Sequence, residues 1–161
     1  MTSTPPFVVR VLRKILGPLE IISLLVTIFG LAMSNPESIM IGLSLLATTY
    51  FLMGYIPLDT PAPEKGDEPQ RDFFHLLATS IAVKVSWIAS AAALIGSTFR
   101  LLHLNGALEM LMVGCSALAI AILIMGIYAI SRPGGRAVVP VLYRALPVFL
   151  FGVYLFMNNP A

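Results

Sequence analysis

The chain has 161 residues, of which 58% are hydrophobic and 11% are charged, and its mean hydropathy is +0.90. This composition excludes an ordinary soluble domain and indicates an integral membrane protein. The net charge of +2 is spread over the ends of apolar segments and forms no basic patch interleaved with aromatic residues, which argues against nucleic-acid binding.

Five apolar segments approach the length of about 20 residues that a helix needs to cross a bilayer. They run over about 16–33, 37–56, 73–102, 106–130 and 138–157. Asn35 and Pro36 predict the N-cap and first residue of the second helix. The pattern predicts an all-α bundle of about five transmembrane helices. Four is the alternative, because the last segment contains Pro140, Arg144 and Pro147.

The third segment allows two interpretations, because it is about 30 residues long and Lys84 interrupts it. Either one long tilted helix crosses the bilayer, or residues 73–83 lie near the interface and the span proper begins beside Lys84.

The segments group into a single membrane domain over 1–161. Its parts are hairpin one at about 15–57, an aqueous loop at 58–72, hairpin two at about 73–131 and a terminal helix at about 138–157. We expect the first segment to be an uncleaved helix with a cytoplasmic N-terminus, because that orientation leaves Arg100 as the only basic residue in an outer loop. The basic residues then placed inside are Arg10, Arg13, Lys14, Lys65, Arg71, Arg132 and Arg136.

The second and fourth segments resemble each other. MIGLSLLATTYFLMGYI (40–56) aligns without a gap on MVGCSALAIAILIMGIY (112–128), which indicates a tandem duplication of a helical hairpin. The alternative is chance, since membrane helices use few residue types. Small residues allow close helix packing in lipid, so contacts within or between subunits are expected at a set of matched positions. These are Gly42, Ser44 and Gly54, with Gly114, Ser116 and Gly126.

Part of hairpin two, about 95–130, carries GSTFRLLH (96–103), a turn at NG (105–106) and MLMVG (110–114). This stretch resembles the transmembrane hairpin of GldL-type membrane proteins of bacterial gliding motility and type IX secretion. The resemblance implies an inner-membrane location and an embedded acid that couples ion flow to rotation. That acid aligns with Leu118, and the family's cytoplasmic coiled-coil tail is replaced by other membrane segments. The resemblance therefore implies a structural hairpin with Arg100 and His103 at its outer end.

An outer polar cluster of Glu37, Arg100, His103 and Glu109 is predicted around the turns. Glu37 and Glu109 fall in the first turns of their helices, where the helix dipole favours a carboxylate. An ion pair of Arg100 with either glutamate is expected. His103 could also bind a haem or a pigment.

A second charged group is predicted at the inner end of the bundle. Glu20 and Arg144 lie at similar depths in the first and last segments, and charged side chains within a membrane usually face the bundle interior in pairs. We therefore expect a Glu20–Arg144 contact with Lys84 nearby. The group could fasten two helices together or form part of an ion path.

Catalytic motifs and metal-ligand spacings are not found, and Cys115 is interpreted as a small packing residue. We therefore expect no enzyme activity and no cofactor beyond the haem or pigment option at His103. The leading hypothesis is a structural or accessory subunit of a larger membrane assembly, in contact with lipid and with other subunits or copies of itself. The alternatives are a small oligomeric channel or transporter for ions or protons, and a pigment- or haem-binding subunit.

Overall fold

The computed structural model describes residues 7–56, 73–131 and 133–158. The predicted loop at 58–72 and Arg132 lie outside this part of the chain. Five long helices make up most of it: α1 (Phe7–Ala32), α2 (Pro36–Met53), α3 (Phe73–Leu101), α4 (Ala107–Ser131) and α5 (Val139–Met157). Each is long and apolar enough to cross a membrane. The described residues contain no strand, and the all-helical fold with five candidate spans is confirmed.

Helix α3 is continuous through the region that allowed two interpretations. Its first turn, Phe73–Leu76, leads into a π-helical turn at Leu77–Ile81 and then into the α-helix Ala82–Leu101. The amide of Ala82 donates to the carbonyl of Leu77, the five-residue step that defines a π turn. Residues 73–83 are therefore continuous with the helix that follows Lys84.

Helix α5 also forms despite its prolines. Pro140 lies in its first turn, where a missing amide donor costs little, and Pro147 lies inside the helix. Helix α1 likewise contains Pro18. A proline within a membrane helix removes one backbone hydrogen bond without ending the helix when neighbouring helices support it.

The two hairpins close with the same backbone motif. Ser34 follows α1 with a left-handed φ of 51°, and His103 follows α3 with a φ of 55°. In both turns the next amide reaches back five residues, from Asn35 to the carbonyl of Gly30 and from Leu104 to that of Phe99. This is the Schellman ending, which satisfies the last free carbonyls of a helix.

Two glycines set the close contact between α1 and α2. A Cβ added at Gly42 would lie 2.6 Å from the backbone nitrogen of Thr27, and one added at Gly30 would lie 2.7 Å from that of Ile39. Each helix thus places a glycine against the backbone of the other. In α1, Gly30 is three residues from Thr27, which Gly42 contacts, and in α2, Gly42 is three residues from Ile39, which Gly30 contacts. Close backbone approach of this kind is the usual basis of helix association in lipid.

Hairpin two repeats this contact. A Cβ added at Gly114 would lie 2.6 Å from the backbone nitrogen of Ala93, and one added at Gly96 would lie 2.9 Å from that of Leu111. Positions in α3 follow their counterparts in α1 by 66 residues, and positions in α4 follow those in α2 by 72. Of the six extra residues in hairpin two, three extend the end of α3, two lengthen the turn and one extends the start of α4.

Helix α3 is the centre of the bundle. It packs against α2, α4 and α5, whereas the main partner of α1 is α2. Small side chains such as Ala91 and Ser97 are buried on α3, while the corresponding Leu25 and Leu31 on α1 are exposed. Large aliphatic side chains therefore cover the uncontacted face of α1, as expected for a surface that meets lipid.

Candidate functional site

Glu20 is a buried carboxylate inside an apolar helix. Its side chain is 9% exposed, and it lies six residues after Lys14, where the apolar part of α1 begins. That spacing corresponds to about 9 Å along the helix axis. Arg144 lies five residues into α5, at about 8 Å, and its Nε is 3.2 Å from Oε1 of Glu20. The contact expected from their matched depths is therefore present.

Tyr50 completes this polar group. Its hydroxyl donates to Oε1 of Glu20 at 3.1 Å, and its ring packs edge-on against Trp87 with the centroids 5.3 Å apart. Tyr50 is only 3% exposed. Because Tyr50 comes from α2 and Arg144 from α5, three helices meet at one carboxylate oxygen.

Sequence reasoning missed Tyr50, although the repeat contained a signal. Tyr50 aligns with Ile122, so hairpin one has a hydrogen-bonding side chain where hairpin two has an aliphatic one. A buried carboxylate needs hydrogen-bond donors. A polar residue on the facing helix, where the other copy of the repeat has an aliphatic residue, identifies such a donor.

The polar group links hairpin one to the terminal helix. Helix α5 packs mainly against α3 and α4, so the Glu20–Arg144 contact adds a connection to α1 across the bundle. Removing one partner of a buried ion pair costs about 3–5 kcal/mol, because it leaves the other charge uncompensated. The cost here is smaller, since the Arg144 side chain is 43% exposed.

Lys84 does not belong to this group, contrary to the prediction. It lies on the exposed side of α3, together with Ile81 and Ile88, and makes no hydrogen bond or ion pair within the described part of the chain. Ala82 and Val83, directly before it, are buried. The helical turn therefore directs the Lys84 side chain away from the core.

The predicted outer cluster is only partly assembled. Arg100 and His103 line a cleft with Tyr154 and Asn158, where the end of α3 meets the end of α5. Glu37 and Glu109 occupy the first turns of α2 and α4, as predicted.

The expected ion pair at this end is wrong. Neither Glu37 nor Glu109 forms an ion pair with Arg100 among the described residues, and both carboxylates are exposed in the first turns of their helices. The predicted N-cap of α2 is confirmed, since Asn35 Oδ1 accepts from the amides of Glu37 and Ser38.

The two histidines lie at opposite ends of the bundle, as predicted. His75 packs edge-on against Tyr128 at the end of the bundle where α3 begins, with ring centroids 5.7 Å apart. His103 is exposed and holds the left-handed position of the α3 turn. Within the described ranges, no three potential metal ligands come together.

The predicted helix-contact positions divide into two sets. Gly42 and Gly114 make close backbone contacts, and a Cβ at Gly54 would lie 3.4 Å from Cβ of Trp87. A Cβ at Gly126 would meet no atom within 4 Å, so this glycine makes no close contact with another described helix.

Ser44 and Ser116 likewise face outward and are exposed. Periodicity identified the small residues but not which side of each helix meets a neighbour. Cys115 is partly exposed rather than buried, but it packs against α5, because a Cβ at Gly152 would lie 2.6 Å from its Sγ.

Comparison with known protein families, with curated proteins and with solved structures finds no match to this chain.

Proposed function

We propose that the chain is a non-catalytic, multi-pass membrane protein that acts as a structural or accessory subunit of a larger membrane assembly. One observation carries this proposal: Arg144 is 43% exposed although it lies inside an apolar helix. Charged groups in a membrane span are normally covered by protein or reach water. The guanidinium has five N–H donors, and its contact with Glu20 uses the one on Nε, so donors are left for a neighbouring subunit.

Two further features support a structural role. Glu20 contacts both Tyr50 and Arg144. This arrangement fits a structural link between helices better than a carboxylate that must gain and lose a proton. Ser23 and Thr27, the next buried hydroxyls along α1, donate to the carbonyls of Glu20 and Ser23. Their hydrogen bonds therefore run back along their own helix rather than across the bundle.

The same proposal includes a duplicated hairpin and an inner-membrane location with the N-terminus inside. The matched glycine contacts of the two hairpins support the duplication. The resemblance of hairpin two to GldL-type proteins supports the location. From that resemblance we apply only the structural hairpin to this chain, and not the ion-coupling role. Leu118, which aligns with that family's coupling acid, is fully buried in this bundle.

The test is co-purification from the native membrane with a tagged chain at native abundance, comparing the wild type with Arg144→Met. Partners at a fixed ratio that are lost from Arg144→Met support the proposal. Arg144→Lys keeps the charge, and Tyr143→Phe changes an exposed neighbour, so both should retain partners. Recovery of the chain alone, in wild type and variants alike, contradicts an assembly role.

A small channel or transporter is the second candidate, favoured by an embedded carboxylate in contact with a tyrosine hydroxyl. Its test is flux through vesicles containing the purified chain. Glu20→Gln should abolish flux under this hypothesis, whereas unchanged flux removes Glu20 from the mechanism.

A further inference from the structure

Two buried serines on α3 differ from every other buried serine and threonine in the described residues. Six of the eight buried serines and threonines donate to a carbonyl three or four residues back on their own helix: Ser23, Thr27, Thr49, Thr79, Ser97 and Thr98. Ser86 and Ser90 are 0% and 1% exposed, and their hydroxyls have no hydrogen-bond partner in the part of the chain that the structure describes. A buried polar group without a hydrogen bond is costly, so these two require one.

The repeat explains why Ser86 has no hydrogen-bond partner among the described residues. Ser86 follows Glu20 by 66 positions and takes its place in hairpin two, ten residues before Gly96 as Glu20 is ten before Gly30. In hairpin one the facing helix supplies Tyr50, which donates to Glu20. The counterpart of Tyr50 is Ile122, whose side chain cannot form a hydrogen bond.

The spacing of the two serines suits one shared ligand. Residues four apart on an α-helix differ by about 40° in direction and about 6 Å along the axis. A water molecule that forms two hydrogen bonds of about 2.8 Å at a near-tetrahedral angle bridges oxygens about 4.5 Å apart. The Cβ atoms of residues four apart on a helix are about 5–6 Å apart, so two serine hydroxyls turned toward each other come within that span. Buried waters typically bind polar groups that the protein itself leaves unsatisfied.

We propose that a water molecule is bound inside hairpin two between Oγ of Ser86 and Oγ of Ser90. The ligand is neutral, because both groups are uncharged and Glu20, at the matching position of hairpin one, already pairs with Arg144. The bound water gives hairpin two a polar centre at the depth where hairpin one has Glu20 and Tyr50. Both hairpins therefore have a hydrogen-bonded centre at one level of the membrane.

The test compares thermal unfolding of Ser86→Ala and Ser90→Ala with the wild type in lipid nanodiscs. Loss of one hydroxyl leaves the water and the other serine with fewer hydrogen bonds, so each variant should melt a few degrees lower. If the hydroxyls are simply unpaired, alanine removes a costly group and the melting temperature rises. A rise, or no change in either variant, overturns the proposal. Ser97→Ala is the control, because Ser97 bonds to its own helix.

Magnetisation transfer by NMR from water to the β protons of Ser86 and Ser90 provides a direct measurement on the unmodified chain. Transfer to both serines and none to Ser97 supports a shared water. Absence of transfer to Ser86 and Ser90 overturns it, even if the alanine variants fail to fold. A melting temperature that rises with sodium but not with choline would show a cation at the site instead.

Discussion

Replacing Tyr50 with phenylalanine tests the polar group with the smallest possible change. The ring, its packing against Trp87 and the Glu20–Arg144 contact remain, and only the hydroxyl 3.1 Å from the carboxylate is lost. Hydrogen bonds to charged groups contribute about 1.5–3 kcal/mol, and a chain of this length loses about 2–4 °C in Tm per kcal/mol, so we expect a decrease of roughly 3–12 °C.

The assay is thermal unfolding of the purified chain in lipid nanodiscs, followed by circular dichroism. Tyr143→Phe is the matched control, because that hydroxyl is on a 77% exposed side chain and makes no hydrogen bond within the described residues. A Tyr50→Phe variant that melts with the control would refute the reasoning that Glu20 depends on this donor.

Three further predictions follow from the same contacts. Gly42→Ala should destabilise the fold by several degrees in Tm, because its Cβ would lie 2.6 Å from a backbone nitrogen, whereas Gly126→Ala has open space and should be neutral or stabilising in the same melting assay. Glu20→Gln and Arg144→Met should each destabilise, and the double variant should lose less than the sum of the two; strict additivity in this cycle would contradict a direct contact. Asn35→Ala should cost about 1 kcal/mol through loss of the N-cap, and an unchanged denaturation midpoint would argue against that cap.

The helices and their ends could be predicted because they depend on local sequence. Apolar length gave the five spans, and Asn35 followed by Pro36 gave the start of α2. Glu20 and Arg144 could be paired because two opposite charges at equal depth in apolar helices have few other partners. None of these features depends on which helices are neighbours.

Contacts that depend on the arrangement of helices could not be predicted in the same way. Lys84 has a suitable depth but lies on the outer side of α3, and Gly126 has a suitable residue type but no close neighbour. Helical periodicity groups residues by face without saying which face meets which helix. The burial of the Ser86 and Ser90 hydroxyls likewise follows from the position of α3 at the centre of the bundle, which the sequence does not predict.

The central claim, a subunit of a larger membrane assembly, is tested most directly by the mass and composition of the particle that contains this chain. The chain would be extracted gently from its native membrane at native abundance and measured by native mass spectrometry together with an absorption spectrum. We predict a colourless particle with other polypeptides at a fixed ratio. A colourless particle made of this chain alone would contradict the claim and favour a channel, and visible absorption would favour a pigment- or haem-binding subunit.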